Sequence, residues 1–278
     1  GSYNRNWLRI GALSFQPSEA VKLALIVWLA LIITSKTRLM NQWRHVAIPI
    51  APIAGGAILL VIIGNDLGTA IILFSMVLGA LFFGGVKLRI IGTVVAAVVA
   101  AAVLLVSISD SRSGRFGAWL TGCVDESLAM HECYQTLHGW QALANGGFFG
   151  VGLGNSASKW NWLPEAETDF IFAIIGEELG FLGAMLVILL FALLAVCFVR
   201  IIRRSTDPFV KIATSVAMVW IIGQALVNIA VVLGLLPVLG VPLPFISAGG
   251  SSLVTTLMAV GIVLSFARHD PRASEATL

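Results

Sequence analysis

Residues 155–180 read NSASKWNWLPEAETDFIFAIIGEELG and pass within a few positions from a polar segment to an apolar one. The apolar run continues from Phe170 to about residue 199, which is long enough for a membrane-spanning helix. One carboxylate, Asp169, stands directly before that run. We therefore expect Asp169 to lie at the boundary between water and lipid, where a reactive group can meet a substrate that is partly polar and partly lipid.

The composition of the chain predicts an all-α, polytopic integral membrane protein. Of its 278 residues, 58% are hydrophobic and 11% are charged, and the mean hydropathy is +0.97. Soluble domains carry about 25% charged residues. Windows of about 19 residues predict seven spans within a single membrane domain, residues 1–278. The spans cover about 18–34, 46–63, 67–84, 89–108, 170–199, 211–235 and 250–267.

The charges predict how these spans are oriented. Basic residues fall mainly in the short loops on one side, whereas acidic residues concentrate in residues 109–169. By the positive-inside rule the basic side is cytoplasmic, so 109–169 is a large extracytoplasmic loop and the C-terminus is inside. This asymmetry explains the pI of about 9.0 and excludes a nucleic-acid partner. Residues 1–10, polar and loop-like, begin outside, and we expect earlier spans to precede them.

Two of the three cysteines, Cys123 and Cys133, fall in the extracytoplasmic loop, where an oxidising compartment lets a disulfide persist. We expect them to be joined, the alternative being two free thiols. Cys197 falls within a span and is expected to be a small apolar core residue. The sequence has no Cys-x-x-Cys or His-x-x-x-His spacing, so we predict no metal site on the protein.

The extracytoplasmic loop also contains a segment with helical periodicity and a segment rich in glycine. Apolar residues at Leu137, Trp140, Leu143 and Ala144 predict an amphipathic helix from residue 134 to 144, at the membrane surface. Residues 146–154, GGFFGVGLG, predict a tight or re-entrant turn. Because no strand precedes these glycines, they do not form a dinucleotide site, and the lack of a P-loop argues against an ATP-driven pump.

Several polar residues fall within or beside the predicted spans, where each needs a partner or a function. Glu19 and Lys22 are three positions apart and either form a structural ion pair or line a polar cavity in which Lys22 is available for phosphate. Gln224 and Asn228 are four positions apart on one helical face, and either bond a neighbouring helix or line a cavity.

Three further features border the spans. Asp66 precedes one of them and is expected to cap its helix. Glu177 lies eight positions after Asp169, on roughly the same helical face, and either supports a cavity or makes a structural hydrogen bond. Residues 236–252 combine three prolines with a Gly-Gly-Ser-Ser turn, and irregular backbone at membrane depth predicts a cavity wall.

Several of these motifs occur together, and in the same order, in a known family. On them the sequence resembles the SEDS (shape, elongation, division and sporulation) proteins of bacteria, and most of all their cell-division branch. The motifs are Gln16-Pro17-Ser18-Glu19 with Lys22, Asp66-Leu67-Gly68-Thr69, Tyr134-Gln135, the glycines of 146–154, Leu163-Pro164-Glu165 with Thr168-Asp169-Phe170, Gly176-Glu177-Glu178-Leu179-Gly180, and Pro242-Leu243-Pro244-Phe245-Ile246-Ser247 with Gly249-Gly250-Ser251-Ser252.

The resemblance implies a multi-pass protein of the bacterial cytoplasmic (inner) membrane with ten spans, of which this chain would hold the fourth to the tenth. It implies a glycosyltransferase that polymerises lipid II, an undecaprenyl-pyrophosphate-linked disaccharide peptide, into β-1,4 glycan strands outside the membrane. The expected partners are a class B penicillin-binding protein, which crosslinks the strands, and other membrane proteins of the division complex.

Site residues carry over from the family by motif. Its essential acidic residue maps onto Asp169, and its outer-loop tryptophan is matched by Trp7, although Asn6 stands where the family has arginine. Gly64-Asn65 replaces the family's Gln-Pro before the Asp66 motif.

The chemistry of such a reaction limits what the site needs. The pyrophosphate linkage of the donor already stores the energy, so no nucleotide is required. A single displacement needs one base, assigned to Asp169, and positive charge near the departing pyrophosphate. A magnesium ion at the pyrophosphate is compatible with this scheme, and no other cofactor is expected. The candidates for substrate binding are Glu19, Lys22, Arg115, Lys159, Trp7, Glu165, Gln224 and Ser251.

Two other functions would use some of the same features. A lipid II flippase also needs polar groups within the membrane. It does not need a carboxylate at the outer face, which is where the polar motifs cluster. A structural scaffold in the division complex would leave those motifs unexplained. We therefore expect polymerisation, with the flippase as the alternative.

Overall fold

The computed structural model describes residues 7–10, 13–36, 42–108, 110–123, 133–160 and 162–268. The chain divides into two compact units. The first unit comprises Gly1–Gly92, Leu193–Gln224 and Gly249–Leu278, and the second comprises Thr93–Ala192 and Ala225–Ala248. The described residues are helical apart from loops and one two-stranded antiparallel sheet, which confirms the predicted fold class.

Helices occupy each of the seven predicted spans. In chain order the helices are α1 (Pro17–Ser35), α2 (Trp43–Ile50), α3 (Gly56–Ile63), α4 (Leu67–Phe83), α5 (Leu88–Ile108), α6 (Asp110–Leu120), α7 (Tyr134–Gly146), α8 (Ile171–Arg204), α9 (Pro208–Val232) and α10 (Gly250–Arg268). By length and composition α1, α8, α9 and α10 can cross a membrane, and shorter apolar helical stretches cover Ile48–Ile63, Leu67–Phe83 and Leu88–Val103. The chain is an integral membrane protein, and the number of seven spans stays a prediction.

The span predicted at 46–63 is an interrupted helix. A π-helical turn, Ala51–Gly55, separates α2 from α3. Pro49 lies inside α2 and Pro52 inside the turn. Each proline lacks the backbone N–H that an α-helix needs, so the regular ladder is broken here and resumes at Gly56.

Three short elements were not predicted. Leu8–Ile10 (β1) pairs antiparallel with Leu13–Phe15 (β2). The segment 1–10 was expected to be loop-like, and the strand corrects this expectation for residues 8–10. The strands contain isoleucine, leucine and phenylalanine, which favour a pleated backbone. In the large loop, α6 is an element for which no prediction was made from the sequence. The predicted amphipathic helix is confirmed as α7, which ends two residues later than predicted.

In the first unit, α1 packs against α4 and α10. Leu29 and Ile33 of α1 and Met76 of α4 are fully buried in this core. Asp66 caps α4 as predicted, because its carboxylate accepts the Thr69 backbone N–H at 2.9 Å.

In the second unit, the glycine segment of 146–154 makes backbone hydrogen bonds with α8 on both sides of a kink in that helix. We call this contact the glycine splice. At Gly180 the α8 backbone leaves helical geometry, with φ of 69°. The N–H groups of Phe181 and Leu182 then bond the carbonyls of residues 147 and 148. In return, the carbonyls of residues 177 and 178 accept from the N–H groups of residues 151 and 152, at 3.0 Å each. The predicted turn therefore supplies hydrogen-bond partners for the backbone N–H and carbonyl groups of α8 that the kink leaves unpaired.

The splice requires glycine where the two backbones meet. A Cβ at Gly150 would collide with the carbonyl of Glu178, and a Cβ at Gly180 would lie 2.6 Å from the carbonyl oxygen of Phe148. Gly150 and Gly154 share nearly the same φ, 81° and 82°, yet a Cβ at Gly154 would meet no atom within 4 Å. Alanine substitutions at these two glycines therefore separate the cost in stability of the left-handed backbone conformation from the cost of close packing.

We predict that Gly150→Ala destabilises the protein more than Gly154→Ala. Both substitutions force alanine into a left-handed conformation, which costs about 1–2 kcal/mol. Gly150→Ala adds overpacking against the α8 backbone, which costs a further 1–3 kcal/mol or so. Thermal unfolding of the purified variants in one detergent measures the difference, and equal unfolding midpoints would contradict the splice.

Candidate functional site

Asp169 lies in a turn directly before α8, as predicted. Two buried apolar residues, Leu163 and Phe170, anchor the two ends of this turn. The backbone reverses at Glu165, which has a positive φ of 54°, and the Glu165 carbonyl accepts the N–H of Phe170 at 3.1 Å. Asp169 is half-buried, whereas Glu165 and Glu167 are exposed. We call residues 163–170 the Asp169 turn.

The Asp169 turn is held by the segment that follows it in the second unit. Asn228 of α9 donates to the carbonyl of Asp169 at 2.7 Å, and Ser247 donates to the carbonyl of Thr168 at 2.6 Å. The Ala248 N–H donates to the carbonyl of Glu167 at 2.9 Å. The loop predicted as a cavity wall, up to residue 248, therefore packs directly on the turn. Sequence reasoning did not assign a role to Ser247.

Lys159 and Glu178, which belong to the same unit as the Asp169 turn, form an ion pair. The Lys159 ammonium lies 2.8 Å from the Glu178 carboxylate and also donates to the Gly154 carbonyl. Glu177 is buried and accepts from the Ser156 hydroxyl and the Ser158 N–H. Of the two alternatives for Glu177, the structure supports the structural hydrogen bond. The carboxylates of Glu177 and Glu178 fasten the segment 154–159 onto α8.

In the first unit, Glu19 and Lys22 form a buried ion pair. Their charged atoms are 2.7 Å apart, and each side chain is 2% exposed. The Lys22 ammonium also donates to Gln224 at 3.1 Å and lies 4.8 Å from the centre of the Trp220 ring. The second Glu19 oxygen accepts from Thr255 at 3.1 Å. This geometry is the ion-pair alternative, and it encloses the ammonium that was considered for phosphate.

The remaining predicted residues are Ser251, Trp7 and Arg115. Ser251 is buried at the start of α10, and its hydroxyl has no hydrogen-bond partner within the described part of the chain. Trp7 is exposed directly before β1. Arg115 belongs to α6, and its side chain lies outside what the structure describes.

The predicted disulfide joins Cys123 to Cys133, with Cα atoms 5.6 Å apart. It connects the end of α6 to the start of α7. In the same unit, Trp119 of α6 donates to the carbonyl of Gly234 at 3.1 Å. Cys197 of α8 is a free thiol and is exposed, so the expectation of a core position is wrong. Its helix, α8, is strongly apolar yet mostly exposed, so an apolar side chain on it does not have to lie in the protein core.

The described residues contain no group of three or more His, Cys, Asp or Glu side chains that could hold a metal ion. Magnesium is commonly bound through one or two carboxylates together with substrate phosphates. A resident metal centre built by the protein alone therefore does not fit the described residues.

Comparisons with known proteins place these features in a family. The cell cycle protein family FtsW/RodA/SpoVE matches residues 2–272. A Mycobacterium tuberculosis protein named "Probable peptidoglycan glycosyltransferase FtsW" is 42% identical over 273 residues, which are 98% of this chain and 52% of that protein. Stage V sporulation protein E of Bacillus subtilis is 36% identical over 267 residues, 96% of this chain and 72% of that protein.

The fold is also similar to a solved structure. That structure is described as "Structural coordination of polymerization and crosslinking by a peptidoglycan synthase complex". The likeness has a TM-score of 0.75 at 25% identity, and it covers 96% of this chain and 74% of the matched one. This chain spans about half the length of the mycobacterial relative that it matches.

We predict that the Glu19–Lys22 pair behaves as one unit in stability. Lys22→Met leaves the Glu19 carboxylate buried without its cation, and breaking a buried pair in this way costs about 3–5 kcal/mol. The double variant Glu19→Gln/Lys22→Met removes both charges and is expected to be more stable than Lys22→Met alone. Thermal unfolding of Glu19→Gln, Lys22→Met and the double variant in detergent gives the coupling. Additive losses would contradict the pairing.

Proposed function

The chain belongs to the FtsW/RodA/SpoVE family of cell cycle proteins, and from this membership and the Asp169 turn we propose that it polymerises lipid II into β-1,4 glycan strands. The observation that carries the proposal is the position of Asp169. A half-buried carboxylate is held at the point where a polar loop meets the apolar helix α8. A lipid-linked sugar presents its reacting atoms at such a boundary.

In the proposed reaction Asp169 is the general base. The acceptor sugar's 4-hydroxyl oxygen forms a bond to the anomeric carbon of the donor, and the bond from that carbon to the pyrophosphate oxygen breaks. The hydroxyl proton passes to the Asp169 carboxylate, and the polyprenyl pyrophosphate leaves with the bonding electron pair. General base catalysis of this kind contributes about 10²–10⁴-fold to a rate. One carboxylate suffices because a single displacement inverts the α-linked donor to a β-linked product.

The departing pyrophosphate needs positive charge nearby. Among the candidates Lys22, Arg115 and Lys159, we favour Lys159 for direct contact, because its side chain is 25% exposed while that of Lys22 is 2% exposed. Lys159 belongs to the same unit as Asp169. Its present partner, Glu178, would have to share the ammonium with a bound phosphate. Lys22, Glu19 and Gln224 would then have no direct contact with the pyrophosphate. They would contribute by holding the packing of the first unit, where Lys22 bonds both Glu19 and Gln224.

A divalent cation such as Mg²⁺ would accompany the pyrophosphate instead of residing on the protein, since the described residues hold no cluster of ligands for it. When bound it would neutralise phosphate charge. In this scheme the chain's own residues bind and orient the lipid-linked sugars and remove the proton from the acceptor hydroxyl.

The proposal places the protein in the bacterial cytoplasmic membrane, with the Asp169 turn outside and the C-terminus in the cytoplasm. The basic residues in the last turns of α8 and α10 support this orientation, because such residues favour the cytoplasmic side. The proposed partners are a class B penicillin-binding protein and other division-complex membrane proteins. The matched synthase-complex structure, which is described as coordinating polymerization and crosslinking, supports a partnership of this kind.

We predict that Asp169→Asn lowers the rate of glycan polymerisation to a small residual value while lipid II binding and folding are nearly unchanged. Asparagine keeps the size of aspartate and can still cap a helix, but it cannot accept the acceptor's proton. The expected loss in rate is at least about 10²-fold. The measurement is strand synthesis from lipid II by the purified protein together with its transpeptidase partner.

Glu167→Gln is a matched control, because its carboxylate lies on the same turn and is exposed. If the turn merely needs negative charge, this variant will lose as much activity as Asp169→Asn. Strand synthesis by Asp169→Asn at nearly the wild-type rate would overturn the mechanism and favour the alternative function, a lipid II flippase.

The proposed orientation can be tested through the cysteines. In intact cells carrying a Cys197→Ser variant, a membrane-impermeant maleimide should label Cys123 and Cys133 only after a reducing agent has opened the disulfide. The oxidising outer compartment is the physical reason for this difference. Labelling of both thiols without reduction would contradict the disulfide, and no labelling after reduction would contradict the outer position.

A further inference from the structure

Three consecutive backbone carbonyls of the Asp169 turn, at residues 167, 168 and 169, accept hydrogen bonds from outside the turn. The internal ladder of α8 starts one residue later, where the Phe170 carbonyl accepts the N–H of Ala173 at 2.9 Å. The three preceding carbonyls therefore depend on donors from elsewhere. Those donors come from Ala248, Ser247 and Asn228, which we call the carbonyl clamp.

Two members of the carbonyl clamp are side chains with further bonds of their own. The Asn228 amide uses its other hydrogen to donate to the Val241 carbonyl, also at 2.7 Å, and the residue is 1% exposed. The Ser247 hydroxyl accepts the N–H of Leu243 at 2.7 Å while it donates to Thr168. Each side chain thus ties the loop 241–248 to the Asp169 turn.

The clamp controls the direction in which the Asp169 side chain leaves the backbone. The Thr168 carbonyl lies in the peptide plane before the Asp169 Cα, and the Asp169 carbonyl lies in the plane after it. Because each peptide is planar, holding both carbonyls fixes φ and ψ at residue 169 and with them the Cα–Cβ bond. The carboxylate then has only its own two side-chain torsions left.

Gly240 lies close to the carboxylate. Its φ is 70°, and a Cβ built on it would lie 3.5 Å from the Asp169 Oδ2 atom, which is an ordinary van der Waals distance. An alanine methyl group at this position would therefore touch that oxygen.

We infer that Asn228 and Ser247 are positioning residues for the Asp169 base, an inference that rests on the proposed function. Neither side chain touches the reacting atoms in this scheme, and both act by orienting the carboxylate. A displacement of about 1 Å in such a group costs on the order of 10²-fold in rate. Loss of one clamp bond is therefore expected to lower kcat by roughly 10- to 100-fold, with little change in the KM for lipid II.

Ser247 offers the sharper test, because a control with the same chemistry exists. Ser247→Ala removes a hydroxyl that donates to a backbone carbonyl at 2.6 Å, and Ser215→Ala in α9 removes one that donates to the Lys211 carbonyl at 2.7 Å. Ser247→Thr keeps the hydroxyl. We expect a low kcat for Ser247→Ala and near-normal kcat for Ser247→Thr and Ser215→Ala, with all measured in lipid II polymerisation by the protein with its partner.

A second measurement separates positioning from folding. If Ser247 acts through Asp169, then Ser247→Ala will cause little further loss when Asp169 is already Asn, because residues that act as a unit are not additive. Asn228→Ala should behave in the same way. Multiplicative losses in the double variants, or a kcat loss matched by Ser215→Ala, would overturn the inference.

The inference and the proposed function can fail separately. If Asp169→Asn remains active, the proposed base is wrong. If Asp169→Asn is inactive while Asn228→Ala and Ser247→Ala keep the wild-type kcat, the base stands and the carbonyl clamp does not position it. The unfolding midpoint of each variant, measured in parallel, shows whether a low rate reflects lost fold.

Discussion

Backbone hydrogen bonding where loops meet membrane helices is the constraint on which the second unit depends. A backbone N–H or carbonyl that is buried away from water without a partner costs about 1–3 kcal/mol, and near lipid there is little water to provide one. The kink at Gly180 frees several such groups in α8, and the glycine segment of 146–154 bonds them. The three carbonyls before α8 have the same need, which the carbonyl clamp meets.

The two solutions have different consequences for chemistry. The glycine splice is backbone against backbone and leaves no room for a Cβ at Gly150, so it serves as rigid support. The carbonyl clamp uses side chains on one partner and holds a half-buried carboxylate at its end. In the proposed mechanism, the need to satisfy the turn's backbone and the need to orient a base are met by the same bonds. The carbonyl clamp can therefore hold the Asp169 carboxylate in one orientation although the turn that carries it is an irregular loop beside the apolar helix α8.

The Glu19–Lys22 pair of the first unit and the Asp169 carboxylate of the second unit differ in exposure. In the first unit, Glu19 and Lys22 neutralise each other at 2.7 Å and are surrounded by Gln224, Thr255 and the Trp220 ring. An unpaired charge at that burial would be costly, so each is retained with its partner. In the second unit, Asp169 keeps part of its surface accessible, as a group that exchanges a proton with a substrate must. The ion pair is thus a structural feature of the first unit, and the proposed reaction belongs to the turn.

The sequence by itself determined the features that depend on local composition or short spacing. Apolar runs predicted helices in all seven spans, the 3.6-residue period predicted α7, and the position of Asp66 before an apolar run predicted its cap. It also placed Asp169 before α8. The tertiary structure decided which partners these residues meet. Ser247 bonds a carbonyl 79 positions away, Asn228 one that is 59 away, and Lys22 bonds an amide 202 positions away. Such pairings depend on how helices pack, since hydropathy and periodicity describe one segment at a time and carry no information about its neighbour in space.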